Sequence, residues 1–131
     1  MLPRALQRTL AAVADAVVPP GGAFPEGAAD VDAAGALLRT WSEMQPAARR
    51  SLAAMLVALD AAALLRTGRR WHALPLPRRV QLCDALEQRG GAVQRSAFLG
   101  VKTLVLVGFA ADPRVQQRLG TEGWPPQLIR P

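Results

Sequence analysis

Tyrosine is absent from the 131 residues, and cysteine, histidine, lysine and isoleucine occur once each, as Cys83, His72, Lys102 and Ile129. A single cysteine excludes an internal disulfide and a multi-thiolate zinc site, since each needs a second thiol. A metal site on His72 would need carboxylates, and no Asp or Glu follows it at three or four residues, the spacing that shares a helical face. Cys83 falls in an apolar helical stretch and reads as a small buried hydrophobe rather than a nucleophile. The β-branched and aromatic residues that strands favour are scarce outside the valines, so the composition points to helices.

Catalytic and cofactor signatures are missing as well. There is no Gly-x-Gly-x-x-Gly after a strand, no phosphate loop and no Gly-x-Ser-x-Gly, and Ser42, Ser51 and Ser96 have no nearby histidine as base. The ten carboxylates are scattered. Asp30 and Asp32 lie on different sides of a helix start, and Asp84 and Glu87 are spaced as neighbours on a solvated helix face. Composition and spacing argue against an enzyme. Long hydrophobic runs are lacking too: the stretches Ser51 to Leu59 and Thr103 to Ala111 fall far short of the roughly 20 residues that cross a bilayer. The apolar segment after Arg4 and Arg8 is too short for a secretory signal, and no twin arginines precede it. A soluble chain with no membrane span is expected.

What the chain has in quantity is alanine, leucine and arginine. Fifteen arginines and Lys102 set a formal charge of +6. Such charge can attract nucleic acid or anionic membranes. A DNA-binding domain clusters it on one helix face or arm, however, whereas the pairs Arg49-Arg50, Arg69-Arg70 and Arg78-Arg79 are separated by apolar helix or proline connector. A small basic nucleic-acid-binding or regulatory helical protein stands as the alternative reading, behind a function without nucleic acid.

The length suits a single helical domain over residues 1–131, burying about two-thirds of the surface its unfolded chain would expose. A first helix is predicted from Pro3 to Val17, with Leu6, Leu10, Val13 and Val17 as one apolar stripe. A second runs from an Asp30 N-cap to about Trp41–Met44. The third starts at Gln45-Pro46, carries the stripe Leu52, Met55, Leu56, Leu59 and Ala63, and ends at Thr67-Gly68. After a connector from Arg69 to Pro77, whose two prolines restrict Leu74 and Leu76 before them to extended conformations, a fourth helix spans Pro77 to Gln88, with Val80, Cys83, Leu86 and Leu82 inward. A fifth, Ala92 to Ala111, is apolar on every side in its second half, and so is either central or covered by another chain. Asp112-Pro113 caps and starts a short helix to Leu119. The fold class expected is all-α: one compact bundle of five to six helices, with a long Pro/Gly-rich loop and an extended C-terminal tail.

That loop, Val17-Val18-Pro19-Pro20-Gly21-Gly22-Ala23-Phe24-Pro25-Glu26-Gly27, is stiff, partly apolar and nearly uncharged. Its prolines fix φ while its glycines permit positive φ. Phe24 either plugs back onto the helices or faces a partner.

The ordered set of pieces resembles the gluconate 2-dehydrogenase subunit 3 family. The resemblance rests on Leu10-Ala-Ala-Val-Ala-Asp15-Ala-Val-Val-Pro19 with its Gly/Pro loop, and on the helix start Ala29-Asp30-Val31-Asp32. Trp71-His72-Ala73-Leu74, Asp112-Pro113-Arg114-Val115, Leu119-Gly120 and Gly123-Trp124-Pro125-Pro126 complete it. It implies a non-catalytic small subunit and a large FAD-dependent partner of the glucose-methanol-choline type. The partner would hold the FAD and oxidise the alcohol, while this chain, itself without cofactor, supports folding, stability or export. Without a twin-arginine signal the chain departs from exported relatives, which favours a cytoplasmic complex. The resemblance carries over no catalytic residues, so site candidates concern partner contact. Interfaces concentrate aromatics and arginine, and rigid loops lose little entropy on docking. Pro19, Pro20, Phe24 and Pro25 of the loop, Arg69, Arg70 and Trp71 of the connector, Phe109 of the fifth helix, and Trp124 and Pro125 of the tail are the candidates. Each tryptophan could equally lid the chain's own core.

Overall fold

Among the described residues there are six α-helices, two short 3-10 turns and no strand. The computed structural model describes residues 2–19, 21, 27 and 32–119. Pro3 opens α1, Arg4–Val17, its carbonyl accepting from the N–H groups of Leu6 and Gln7 at 2.9 and 3.0 Å. Leu6, Leu10 and Val13 turn inward as the stripe predicts, while Val17 is only half-buried.

Helix α2, Ala33–Arg39, begins later than expected. Its cap is Asp32, whose carboxylate accepts from the Gly35 N–H at 3.1 Å. Asp32 sits in the left-handed region at φ 51°, a conformation that a short polar side chain tolerates. Asp30, the cap expected from sequence, lies outside the described residues. A 3-10 turn, Trp41–Glu43, follows.

Helix α3, Pro46–Thr67, starts with proline in its first turn and stops at Gly68, whose φ of 76° glycine adopts without the Cβ penalty. Within the connector, Trp71–Ala73 folds as a second 3-10 turn; Leu74, before Pro75, is extended as expected, whereas Leu76, before Pro77, already belongs to the next helix. Helix α4, Leu76–Arg89, starts one residue ahead of Pro77 and buries Leu82, Cys83 and Leu86. Helix α5 is Ala92–Ala110, and α6 is Pro113–Leu119, capped by Asp112 accepting from the Arg114 N–H at 2.8 Å.

Helix α5 touches each of the other five helices. Phe98, Val101, Val105 and Phe109 meet Leu10 and Val13 of α1, Leu52, Leu56 and Leu59 of α3 and Leu86 of α4 in one core cluster. Each such side chain removed from water stabilises the fold by about 1.5–3 kcal/mol before entropy is charged against it. Gly108 lets α2 close onto α5, since a Cβ there would stand 3.1 Å from the Ala33 carbonyl oxygen. Arg66 at the end of α3 donates to Gln94 near the start of α5, and Met55 in mid-α3 lies against Gly100 further along α5, so the two helices run antiparallel. By length and composition alone α5 suffices to cross a membrane, which the sequence expectation missed by counting only charge-free runs.

Candidate functional site

The connector between α3 and α4 is tied down by three polar groups. Asp60, buried in α3, accepts at Oδ2 from Thr9 Oγ1 of α1 at 2.8 Å and from Arg70 Nη2 at 2.9 Å. Its Oδ1 is buried without a hydrogen-bond partner among the described residues. Arg79 of α4 donates from Nε to the carbonyls of Trp71 and Leu74 at 3.1 and 2.8 Å, and its Nη1 pairs with Asp15 of α1 at 3.5 Å. Trp71 is 0% exposed and donates its Nε1–H to the Leu59 carbonyl at 2.9 Å. An indole buried with its N–H satisfied is an internal anchor.

Several expected interface residues therefore face inward. Trp71 belongs to the chain's own core, the second of the two roles the sequence leaves open. Arg70 is paired with Asp60 and half-buried, and of that trio only Arg69 is exposed. Phe109 is 4% exposed, so its ring offers a partner almost nothing. Pro19 is half-buried beside a cavity of about 230 Å³ whose lining includes Val80, Cys83, Phe98 and Lys102. Pro20, Phe24, Pro25, Trp124 and Pro125 lie outside the described residues. The candidates that are described do not converge on one surface.

Cys83, Asp84, Glu87 and Lys102 line the same cavity of about 230 Å³, beside Pro19. Among the described residues no three His, Cys, Asp or Glu side chains gather to hold a metal ion. Burial first, and then the neighbouring Asp84 carboxylate, push the Cys83 thiol up to about 12, which leaves little thiolate at neutral pH. Lys102 is paired with Glu87 at 2.9 Å. Trp41 and Arg49 border a depression of about 540 Å³ with Leu38, Arg39 and Ser42, but Arg49 already donates to the carbonyls of Met44 and Ser42.

The surface that stands out is one the candidate residues did not name. Every large apolar side chain exposed among the described residues belongs to α3 or α5: Val57, Leu64 and Leu65 on the first, Val93, Leu99, Leu106 and Val107 on the second. Between the helices runs a groove of about 500 Å³, floored by Ala54, Met55, Ala58, Ala92, Ser96 and Ala97, with Val93 on its edge. Single exposed hydrophobes are ordinary; of this set Val93 lines the groove, while by helical spacing Val57 and Leu64 on α3 and Leu99 and Leu106 on α5 lie on the flanks turned away from it. The signal was partly visible in the all-round apolarity of α5. In α3 it lay in Val57, Leu64 and Leu65, which stand off the stripe of Leu52, Leu56 and Leu59.

The described residues thus form a bundle of six helices that buries one core and leaves large apolar side chains of α3 and α5 exposed. The chain matches the family model for gluconate 2-dehydrogenase subunit 3 over residues 5–127, and it belongs to that family. It is thus placed among the small subunits of a dehydrogenase complex. No curated protein and no solved structure matches it.

Proposed function

We propose that this chain is the non-catalytic small subunit that binds and stabilises, or assists the folding of, a FAD-dependent oxidoreductase of the glucose-methanol-choline type acting on an alcohol, sugar or sterol. The observation that carries this reading is the family match along residues 5–127. The exposed apolar residues of α3 and α5 support it, because a chain that works alone gains nothing from leaving them in water. The FAD and the chemistry of alcohol oxidation reside in the partner, and the complex works in the cytoplasm. This chain's residues contribute binding surface and shape.

Affinity purification of the tagged native chain from its own host tests the reading. A much larger protein with bound flavin, identified by its absorption near the flavin bands and carrying all the dehydrogenase activity, is the expected companion. A companion without FAD, or activity in the small chain alone, would overturn it. Fractionation of the same cells places the complex in the cytoplasmic or the periplasmic pool.

A further inference from the structure

The end of the bundle where α3 stops and α5 starts gathers cations from three helices. Arg66 of α3 donates from Nη2 to Gln94 Oε1 of α5 at 3.4 Å, and Arg95, the next residue of α5, donates from Nη2 to the Gln88 carbonyl of α4 at 3.4 Å. Arg89 follows Gln88 as the last residue of α4, and Arg69 follows Gly68, where α3 stops. All four arginines are exposed, and none of them pairs with a carboxylate among the described residues. The sequence keeps acid away from this end: no Asp or Glu occurs from Ala61 to Cys83 or from Gln88 to Ala111. The carboxylates just beyond those stretches are Asp60, bonded to Thr9 and Arg70, Glu87, bonded to Lys102, and Asp84, more than a turn back from Arg89 on α4. Around the other end of α5 the charges are mixed, with Arg39 beside Asp32, Arg114 beside Asp112 and Glu43 on the first 3-10 turn.

The same end carries the two most exposed large apolar side chains of the described residues, Leu65 at 82% and Val93 at 74%. Each stands one residue ahead of the touching pair Arg66 and Gln94, and each lies within a turn of its helix end. Apolar tips among unpaired arginines discriminate between anionic occupants. Nucleic acid supplies phosphates, but it takes up an aliphatic side chain only by unstacking its bases. A protein surface must match every projecting side chain in shape and set a carboxylate against each guanidinium. A bilayer of anionic lipid offers fluid hydrocarbon beneath a plane of phosphates, and it receives both kinds of side chain without such matching. We propose that this end of the bundle docks on an anionic lipid bilayer, with Leu65 and Val93 entering the headgroup region and Arg66, Arg69, Arg89 and Arg95 meeting lipid phosphates around them. The inference does not depend on the small-subunit reading. It sets a complex that works in the cytoplasm against the anionic inner leaflet of the cell membrane.

The test is sedimentation of the full chain with vesicles of phosphatidylcholine, alone or with about one-third phosphatidylglycerol, which supplies the negative surface. Three double variants are compared: Arg66→Glu/Arg95→Glu and Leu65→Ser/Val93→Ser at the proposed surface, and Arg50→Glu/Arg78→Glu as a control of equal charge change in the first turns of α3 and α4. Circular dichroism melts should agree, since all six positions are exposed. The parent should bind the phosphatidylglycerol vesicles, and its binding should fade as salt rises from about 50 to about 500 mM. An arginine near such a surface contributes about fivefold in affinity, so the Arg66/Arg95 reversal should cost at least about 25-fold. The serine pair should weaken binding by about tenfold and leave the salt dependence unchanged. The control should bind as the parent does.

A parent chain that stays in the supernatant with phosphatidylglycerol vesicles at about 50 mM salt overturns the proposal, whatever it does with a flavoprotein. Equal losses in the Arg66/Arg95 and control variants would reduce the attraction to net charge and remove the site. Equal binding to phosphatidylcholine alone would remove the arginines from it. If the variants at this end lose the flavoprotein or duplex DNA while vesicle binding is untouched, the surface belongs to that partner instead.

Discussion

Helices α1 and α5 both carry many apolar residues, and the bundle treats them differently. In α1 they fall on one stripe, and the chain covers it: Leu10 and Val13 are 0% exposed and Leu6 is 8% exposed. In α5 they run all round, so Phe98, Val101, Val105 and Phe109 fill the core while Val93, Leu99, Leu106 and Val107 remain outside. A small bundle has enough elements to finish an amphipathic helix but not one that is apolar on every side. Helix α3 behaves as α5 does, burying Leu52, Leu56 and Leu59 and exposing Val57, Leu64 and Leu65. One pole of the molecule is thus completed by its own sequence, and the other leaves apolar area that a second chain can cover.

The strongest way to break this comparison is to test whether the completed pole is purely internal. Trp71→Ala removes an indole that is 0% exposed and leaves the Leu59 carbonyl without that donor. It should lower the stability of the isolated chain by about 3–5 kcal/mol, measured by urea unfolding. An unchanged midpoint combined with loss of the partner would move Trp71 back to the interface. Next in size is Arg70→Ala, which strips Asp60 of its cationic partner and leaves the Thr9 hydroxyl alone at Oδ2. Arg70 is itself 42% exposed at its side chain, so the cost should be about 1.5–3 kcal/mol rather than that of a fully buried pair. A double variant with Asp60→Ala should recover part of that loss, whereas additive losses would mean that the two side chains act independently.

Much of the completed pole was legible in the sequence, because it is written in local rules. The stripe Leu6, Leu10, Val13, the proline at the start of α3, Gly68 after its end and Asp112-Pro113 before α6 each map one residue type onto one backbone requirement, and each element appears where those rules place it. Trp71 was harder to place. Its burial depends on the Leu59 carbonyl, twelve residues earlier, and on Arg79 clipping the connector's carbonyls, contacts with no local signature. The cap at Asp32 could not be told from Asp30 by sequence, because the two aspartates stand two residues apart before the same alanine-rich run, and the Asp32 carboxylate accepting from the Gly35 N–H is a matter of geometry. The outer face was the least legible part. Periodicity finds the side of α3 that matches its neighbours and is silent about Val57, Leu64 and Leu65, whose exposure becomes visible only once the other helices have taken their places.

A smaller effect, confined to alkaline pH, sharpens the boundary between the poles at Cys83. Burial holds this thiol at about 12, against an ordinary value near 9.0, so the fold accommodates the protonated form. The sign follows: a group raised in the folded state leaves stability whole below the unfolded value and withdraws it as pH climbs towards the folded one. The difference in unfolding free energy between the parent and Cys83→Ala should therefore be constant below about pH 9 and shift against the parent between about pH 9 and 12. Rapid alkylation of the native chain at pH 8 would show instead that the thiol is open to solvent.

The smallest change in stability is expected at the end of the bundle that should meet the bilayer. Leu65→Ser with Val93→Ser alters side chains that are 82% and 74% exposed, and surface substitutions of this kind stay within about 0.5 kcal/mol in unfolding measurements. The same pair should make the isolated chain more soluble, because it shortens the exposed apolar patch, and turbidity at rising concentration checks this directly. Serine brings no charge, so a loss of vesicle binding in this variant cannot come from repulsion and must reflect apolar contact. A chain that lost more than about 1 kcal/mol would mean that Leu65 and Val93 already pack on something within the chain, and the contrast between a finished pole and an unfinished one would no longer hold.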